Sequence, residues 1–199
     1  MLLQAPDGPL WRFDPGALFL EFMLTGGPGE LARFDVLRSP ADLNRWCGSS
    51  RLALHSGAVH ATSRDIPGAR AVRDALWRLT WQRMRAQPAG AADLGVVNRA
   101  AARPALAPQL GPTGEASWLL PATASAVLAT VARDAIGALA GPNAGRLREC
   151  EAGDCQLVFL DTSRPGTRRW CSMERCGNRH KVRALRTRRT PPIPKELSP

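Results

Sequence analysis

Four of the five cysteines lie in two pairs of equal spacing. Cys150 and Cys155 enclose EAGD, Cys171 and Cys176 enclose SMER, and fifteen residues separate the pairs. Each pair can present two sulfurs from one tight turn, and four thiolates complete the tetrahedral shell of one zinc ion. Zinc has no redox chemistry, and a shell filled by protein ligands leaves no position for water or substrate. The expected role is therefore to hold a fold together, not to catalyse. Cys47, about a hundred residues away, reads as a small buried apolar side chain.

Arginines surround the cysteines. Arg175, Arg179, Arg183 and Arg186 recur at 4-4-3 spacing, which on a helix confines them to one stripe about 80° wide. Arg168 and Arg169 add charge from the segment before the second pair, and Arg164, Arg188 and Arg189 extend it. Residues 146–189 hold 12 Lys and Arg against 5 Asp and Glu, whereas residues 1–145 hold 14 against 11. Most of the net charge of +10 thus sits in less than a quarter of the chain. A genome biased towards arginine codons explains why so few basic residues are Lys; it does not explain the clustering. Packed guanidinium groups repel one another unless a polyanion neutralises them, so phosphate contact is the expected use. DNA is the expected partner and RNA fits the same stripe; an acidic protein surface is the third possibility. Asn178 can either read adenine in a major groove or buttress the zinc turn.

The elements that must position these groups are short. Leu157–Leu160 reads as a strand, Asp161–Gly166 as a turn and Thr167–Trp170 as the returning strand. Gly153 is expected to relieve a left-handed turn in the first pair. Phe159 and Trp170 are expected to wall the metal from water, and Cys176 to sit at the first turn of a final helix. Val182 and Leu185 edge the arginine stripe and are expected to anchor that helix. His180 reads as a surface residue or a phosphate contact. The arrangement looks like a treble-clef finger.

The stretch FLDTSRPGTRRWCSMERCGNRHKVRALR resembles the zinc module of the bacterial CGNR zinc-finger proteins, which take their name from the tetrapeptide present here as Cys176-Gly177-Asn178-Arg179. Those proteins carry an α/β region called ABATE ahead of the finger. LFLEF at Leu18–Phe22, ARAVRDALWRL at Ala69–Leu79 and DLGVVNRAA at Asp93–Ala101 are similar to its landmarks, although Met23-Leu24-Thr25 stands where the family usually continues into Asn-Thr. The resemblance implies a stress-induced transcription regulator.

Ahead of the finger, residues 1–17 read as a loose lead-in. Ala17–Leu24 is an apolar run consistent with a buried strand, although a helical turn fits its period equally. The Gly26-Gly27-Pro28-Gly29 cluster reads as a turn, for it lacks the ending of a phosphate loop. Ser39-Pro40-Ala41-Asp42 predicts a helix start. His55 and His60 lack neighbouring ligands and carry no assigned chemistry. Ala69, Val72, Leu76 and Leu79 predict a helix over 68–86 whose arginines 70, 73, 78, 83 and 85 face solvent. Asp93 is expected to cap a short helix, and Thr123–Ala140 reads as another, closed by Gly141-Pro142-Asn143 as a hinge.

The fold class expected is α+β: a mostly α-helical N-terminal domain with a short strand element (1–143), a small treble-clef-like four-cysteine zinc finger (144–190) and a Pro-rich tail (191–199). The 44% apolar fraction is that of a globular chain. No signal peptide or membrane span is evident, which predicts a reducing cytoplasm where thiols hold metal and do not form disulfides. No Ser/His/Asp or paired-carboxylate constellation suggests an enzyme. A small-molecule effector could occupy the N-terminal domain. One finger offers few base contacts, which favours a homodimer, though no heptad repeat specifies one.

Overall fold

The computed structural model describes residues 1–4 and 8–189, excluding the side chains of residues 184 and 186–189. The Pro-rich tail lies outside the described residues. In chain order the elements are β1 (Leu2–Gln4), β2 (Leu10–Arg12), α1 (Leu18–Met23), α2 (Pro40–Ser49), β3 (Val59–His60), α3 (Asp65–Met84), α4 (Ala91–Ala101), β4 (Pro108–Leu110), β5 (Ala116–Trp118), β6 (Ala122–Thr123), α5 (Ala124–Ala140), β7 (Leu147–Glu149), β8 (Val158–Leu160) and α6 (Asn178–Arg189). Helices dominate. The strands form two-stranded ribbons, β1–β2, β4–β5 and β7–β8 antiparallel and β3–β6 parallel.

Helix α3 is the central post. Ile66, Ala69, Val72, Leu76 and Leu79 are buried on one side, and α1, α2, α4 and α5 pack around it. It begins three residues before the predicted start, where the Asp65 carboxylate accepts hydrogen bonds from the backbone N–H and hydroxyl of Thr62. The expectation that its arginines are solvated is corrected. Arg73 is only 2% exposed and donates to Thr25 O, Asp35 and Asp74. Arg78 forks onto the Asp93 carboxylate with bonds of 2.7–3.0 Å. Asp93 is thus occupied in joining α4 to α3, and Gly90, not Asp93, stands at the N-cap of α4.

Of the two readings for residues 17–24, the helical one is correct. A run buried on every side has no polar face to mark its period, so tertiary packing decides. The N-terminus of α1 lies against α5, where the Asp134 carboxylate accepts from Phe19 N at 2.8 Å. That placement puts a carboxylate at the positive helix end. Inside α1, Glu21 accepts from Arg51 through both its backbone N–H and its guanidinium. The following glycine turn passes so close to α3 that a Cβ on Gly27 would lie 2.7 Å from Trp77 Nε1, which donates to Gly26 O.

Local signals hold where their partners are local. Ser39 caps α2 in a reciprocal box with Asp42, whose carboxyl is drawn down to about 2 by the Ser39 hydroxyl and then by Arg45. Thr123 caps α5 by accepting from Ala126 N.

Candidate metal centre

Ribbon β7–β8 builds the first turn of the centre. Leu147, Arg148 and Glu149 pair with Leu160, Phe159 and Val158, and the ladder ends where Cys150 N donates to Leu157 O at 2.9 Å. The chain then folds back so that Cys155 N reaches Ala152 O. Two expectations are corrected. The partner of the 158–160 strand is Leu147–Glu149 ahead of the first pair, and Thr167–Trp170 runs on without strand pairing of its own. Gly153 is not among the residues with a left-handed backbone.

Between the turns, Asp161 organises the chain. Fully buried, it accepts from Ser163 N, the Ser163 hydroxyl and Arg168 N, at 2.6–2.9 Å. The second turn opens on Ser172, which caps a single π-helical turn, Met173–Gly177, that leads directly into α6. The Met173 side chain lies over Gly177, its Sδ 2.7 Å from where a Cβ would stand.

These turns bring Cys150, Cys155, Cys171 and Cys176 together, all buried, with their sulfurs within 4.8 Å of one another. Cys155 and Cys171 sulfurs are 3.8 Å apart, and those of Cys171 and Cys176 are 3.4 Å apart. A tetrahedral site with Zn–S bonds of about 2.3 Å has edges of about 3.8 Å, so the four sulfurs fit zinc. Without a cation they cannot all ionise. A hydrogen bond from Cys171 draws Cys155 down to about 5 and pushes Cys171 itself well above the thiol range, while burial pushes Cys150 up to about 11. Four thiolates around Zn²⁺ form a net dianion. Its charge is met by Cys171 N donating to Cys150 Sγ and by Arg179 Nη2 donating to Cys176 Sγ, both at 3.3 Å.

The lead-in of the chain covers this centre, correcting its reading as a loose segment. Trp11 and Phe13 join Phe159 and the four cysteines in an apolar cluster separate from the main core. Leu160 N donates to Pro15 O at 2.8 Å, and left-handed Gly16 sits so tightly that a Cβ would fall 2.5 Å from Leu160 O. The 141–143 segment is therefore not a lone hinge, because residues 13–16 also tie the finger to the body. Phe159 is fully buried as expected, whereas Trp170 is half-buried and stacks on His180 at 4.7 Å.

The arginines divide by contact. Arg168 turns inward: it lies 4.1 Å over the Phe159 ring and donates to the carbonyls of Asp14, Trp170 and Cys171. Arg169 pairs with Glu151 at 2.6 Å. Arg175 lies 3.9 Å over the Trp11 ring. Arg179 forks onto Asp154, and Arg183 reaches the same carboxylate. Asn178 is exposed and donates to Glu174 O at 3.4 Å. The backbone of Arg186 belongs to α6, but its side chain lies outside the described residues, as do those of Arg188 and Arg189. Val182 and Leu185, expected as anchors, are exposed. Asp154 and Asp161, expected only as turn residues, also hold the arginines of α6 and the segment before the second turn, and Trp11 lies in the expected loose lead-in. The Asp-x-Ser order of 161–163 was the one legible signal, as a side-chain turn.

Residues 16–142, more than half the chain, match the ABATE family, described as "Putative stress-induced transcription regulator". The chain belongs to the ABATE family. Residues 146–189 match the CGNR zinc finger, so the ABATE region precedes the finger here. Together with the cluster geometry, this assigns the four cysteines of the ABATE chain as a centre able to hold one zinc ion. No curated protein matches the chain. Among the described residues no helix is long and apolar enough to cross a membrane.

Proposed function

We propose that the chain is a DNA-binding transcription regulator, with one structural Zn²⁺ holding α6 against the first cysteine turn so that the helix meets the phosphate backbone. The observation that carries this reading is the chemistry of α6. The helix contains six Lys and Arg and no carboxylate, and Asn178, His180, Lys181, Val182, Arg183 and Leu185 are all exposed. A helix of that composition carries self-repulsion that a polyanion relieves. We assign phosphate contacts to Arg169, Arg179, Arg183 and Arg186 and a base contact to Asn178. Arg168 leaves the set because its donors serve backbone carbonyls, and Arg175 because it stacks on Trp11, whereas Arg169, Arg179 and Arg183 stay because their partners are solvent-exposed carboxylates that a phosphate can displace. The order strand, first cysteine turn, strand, second cysteine turn, helix supports a treble-clef-like finger, and the family description supports the regulatory role. The saturated zinc shell favours a binding protein over an enzyme, and thiolate ligation favours the reducing cytoplasm.

Titration of the zinc-loaded chain with random duplex DNA at several salt concentrations tests this. Four phosphate contacts give a log–log slope of about −3 to −4. An Arg179→Ala/Arg183→Ala variant is expected to bind more weakly and with a shallower slope. Absence of binding at about 50 mM salt with zinc in place rejects the reading. Preferential competition by structured RNA would replace DNA with RNA as the ligand.

A further inference from the structure

A cleft of about 890 Å³ lies between the ABATE body and the finger. Its walls come from three separate pieces: Leu24, Phe34 and Val36 after α1, Trp11 from the N-terminal ribbon, and Leu157 and Arg175 from the finger. The volume is that of a small-molecule site, and the lining is mostly apolar. Phe34 and Val36 are 47% and 58% exposed, large apolar side chains left uncovered beside a tryptophan. Exposed apolar surface gathered in a concavity has a different meaning from single exposed residues on a convex face.

The polar groups of the cleft are few. Arg175, half-buried, rests its guanidinium on the Trp11 ring and has no carboxylate or carbonyl partner among the described residues. The Trp11 indole N–H, on a residue 7% exposed, likewise has no acceptor. The other charged groups are engaged: Asp35 with Arg70 and Arg73, Asp154 with Arg179 and Arg183, Arg33 with Glu30, and Arg38 with the Asp35 carbonyl. Asp35 and Asp154 are thus answered by arginines outside the lining, which leaves the lining positive, and Arg175 is a guanidinium in it with no oxygen partner among the described residues.

We propose that this cleft is a binding site for an aromatic or other apolar carboxylic acid, its carboxylate on Arg175 and its apolar body against Trp11, Phe34 and Val36. A guanidinium matches a carboxylate through two parallel bonds, and stacking on an indole orients it. The positive lining suits an anion, and the mostly apolar walls suit an organic acid better than inorganic phosphate. Because Gly153–Leu157 of the first cysteine turn is part of the wall, an occupant touches the loop whose Asp154 holds α6. The site thus joins body and finger, and Arg175 serves it in place of DNA phosphate.

The test uses 2-naphthoate and its uncharged analogue 2-naphthamide against the zinc-loaded full chain by titration calorimetry. Saturable binding of naphthoate, at least tenfold tighter than naphthamide, is expected. Arg175→Gln should weaken naphthoate at least tenfold while zinc content stays at one per chain. Val36→Glu, at an exposed position away from the metal, should abolish binding without changing thermal unfolding. Equal affinity for acid and amide, no naphthoate binding at millimolar concentration, or an unchanged Arg175→Gln variant would each overturn the proposal. Duplex binding measured in parallel separates the two readings, because loss of DNA affinity in Arg175→Gln with naphthoate binding intact would return Arg175 to the phosphate-contact set.

Discussion

Asp154 holds Arg179 by two hydrogen bonds of 3.0 Å and reaches Arg183 at 3.4 Å, so one carboxylate of the first cysteine turn serves two guanidinium groups of the finger helix. The side chains of Asp154, Arg179 and Arg183 are 45%, 36% and 62% exposed. Solvent-exposed pairs of this kind contribute about 0–1 kcal/mol each, little enough for a phosphate to displace the carboxylate. Asp154 is therefore a competitor for the arginines that would bind nucleic acid. Asp154→Ala is expected to raise low-salt duplex affinity and steepen the salt slope by about 1 to 2. Anisotropy titrations at several salt concentrations read both quantities. Weaker binding with zinc retained would mean instead that the carboxylate aims the helix.

Removal of a zinc ligand should injure one part of the chain selectively. Structural zinc supplies about 10–16 kcal/mol of apparent binding energy in finger peptides, far more than the small Trp11–Phe13–Phe159 cluster can replace. Cys171→Ala is expected to lose zinc, α6 and the cover formed by Trp11 and Phe13, whereas α3, α4 and α5 keep their own core. Zinc analysis with far-UV circular dichroism checks this. Stoichiometric zinc with native helicity in the variant would refute it.

Arg168 distinguishes a structural arginine from a binding one. Its guanidinium serves three carbonyls and the Phe159 ring, and its loss leaves those carbonyls without donors. Arg168→Ala is expected to destabilise the fold by about 2–3 kcal/mol. The salt slope of duplex binding should not change in the fraction that remains folded. Urea unfolding and the salt titration measure the two effects separately.

The α2 capping box makes a pH-dependent contribution of known sign. The Asp42 carboxyl is held at about 2, chiefly by the Ser39 hydroxyl, below its ordinary value of 3.8. A carboxyl with a lowered folded pKa stabilises fully above its unfolded pKa and loses that contribution as pH falls towards the folded one. Asp42→Asn is therefore expected to be less stable than the parent at pH 6, with the difference shrinking between about pH 4 and pH 2. Ser39→Ala should cost about 1 kcal/mol at neutral pH. Urea midpoints across that range decide the matter. A difference that grows on acidification would contradict the assignment.

What the sequence determined by itself is what depends on near neighbours. The cysteine spacing implies the two turns because each pair closes within six residues. Ser39 announces its helix because a cap reaches only three residues along the chain. The 3-4-3 apolar spacing marks α3 because one face of it meets the core along most of its length. Tertiary structure decided the rest. Residues 17–24 are helical because an all-buried run takes its form from its surroundings, here the Asp134 carboxylate of α5. Residues 11–16 become the cover of the finger through Leu160 and Arg168, which lie far along the chain. Above all, the arginine pattern could show a charged stripe but not which guanidinium groups were already engaged. Arg168 meets a carbonyl 154 residues away, Arg179 a carboxylate 25 residues away, and Arg175 the Trp11 ring. Charge is written in composition, whereas its neutralisation depends on folded distances, and Coulombic attraction in a solvated protein acts only between groups the fold has brought close.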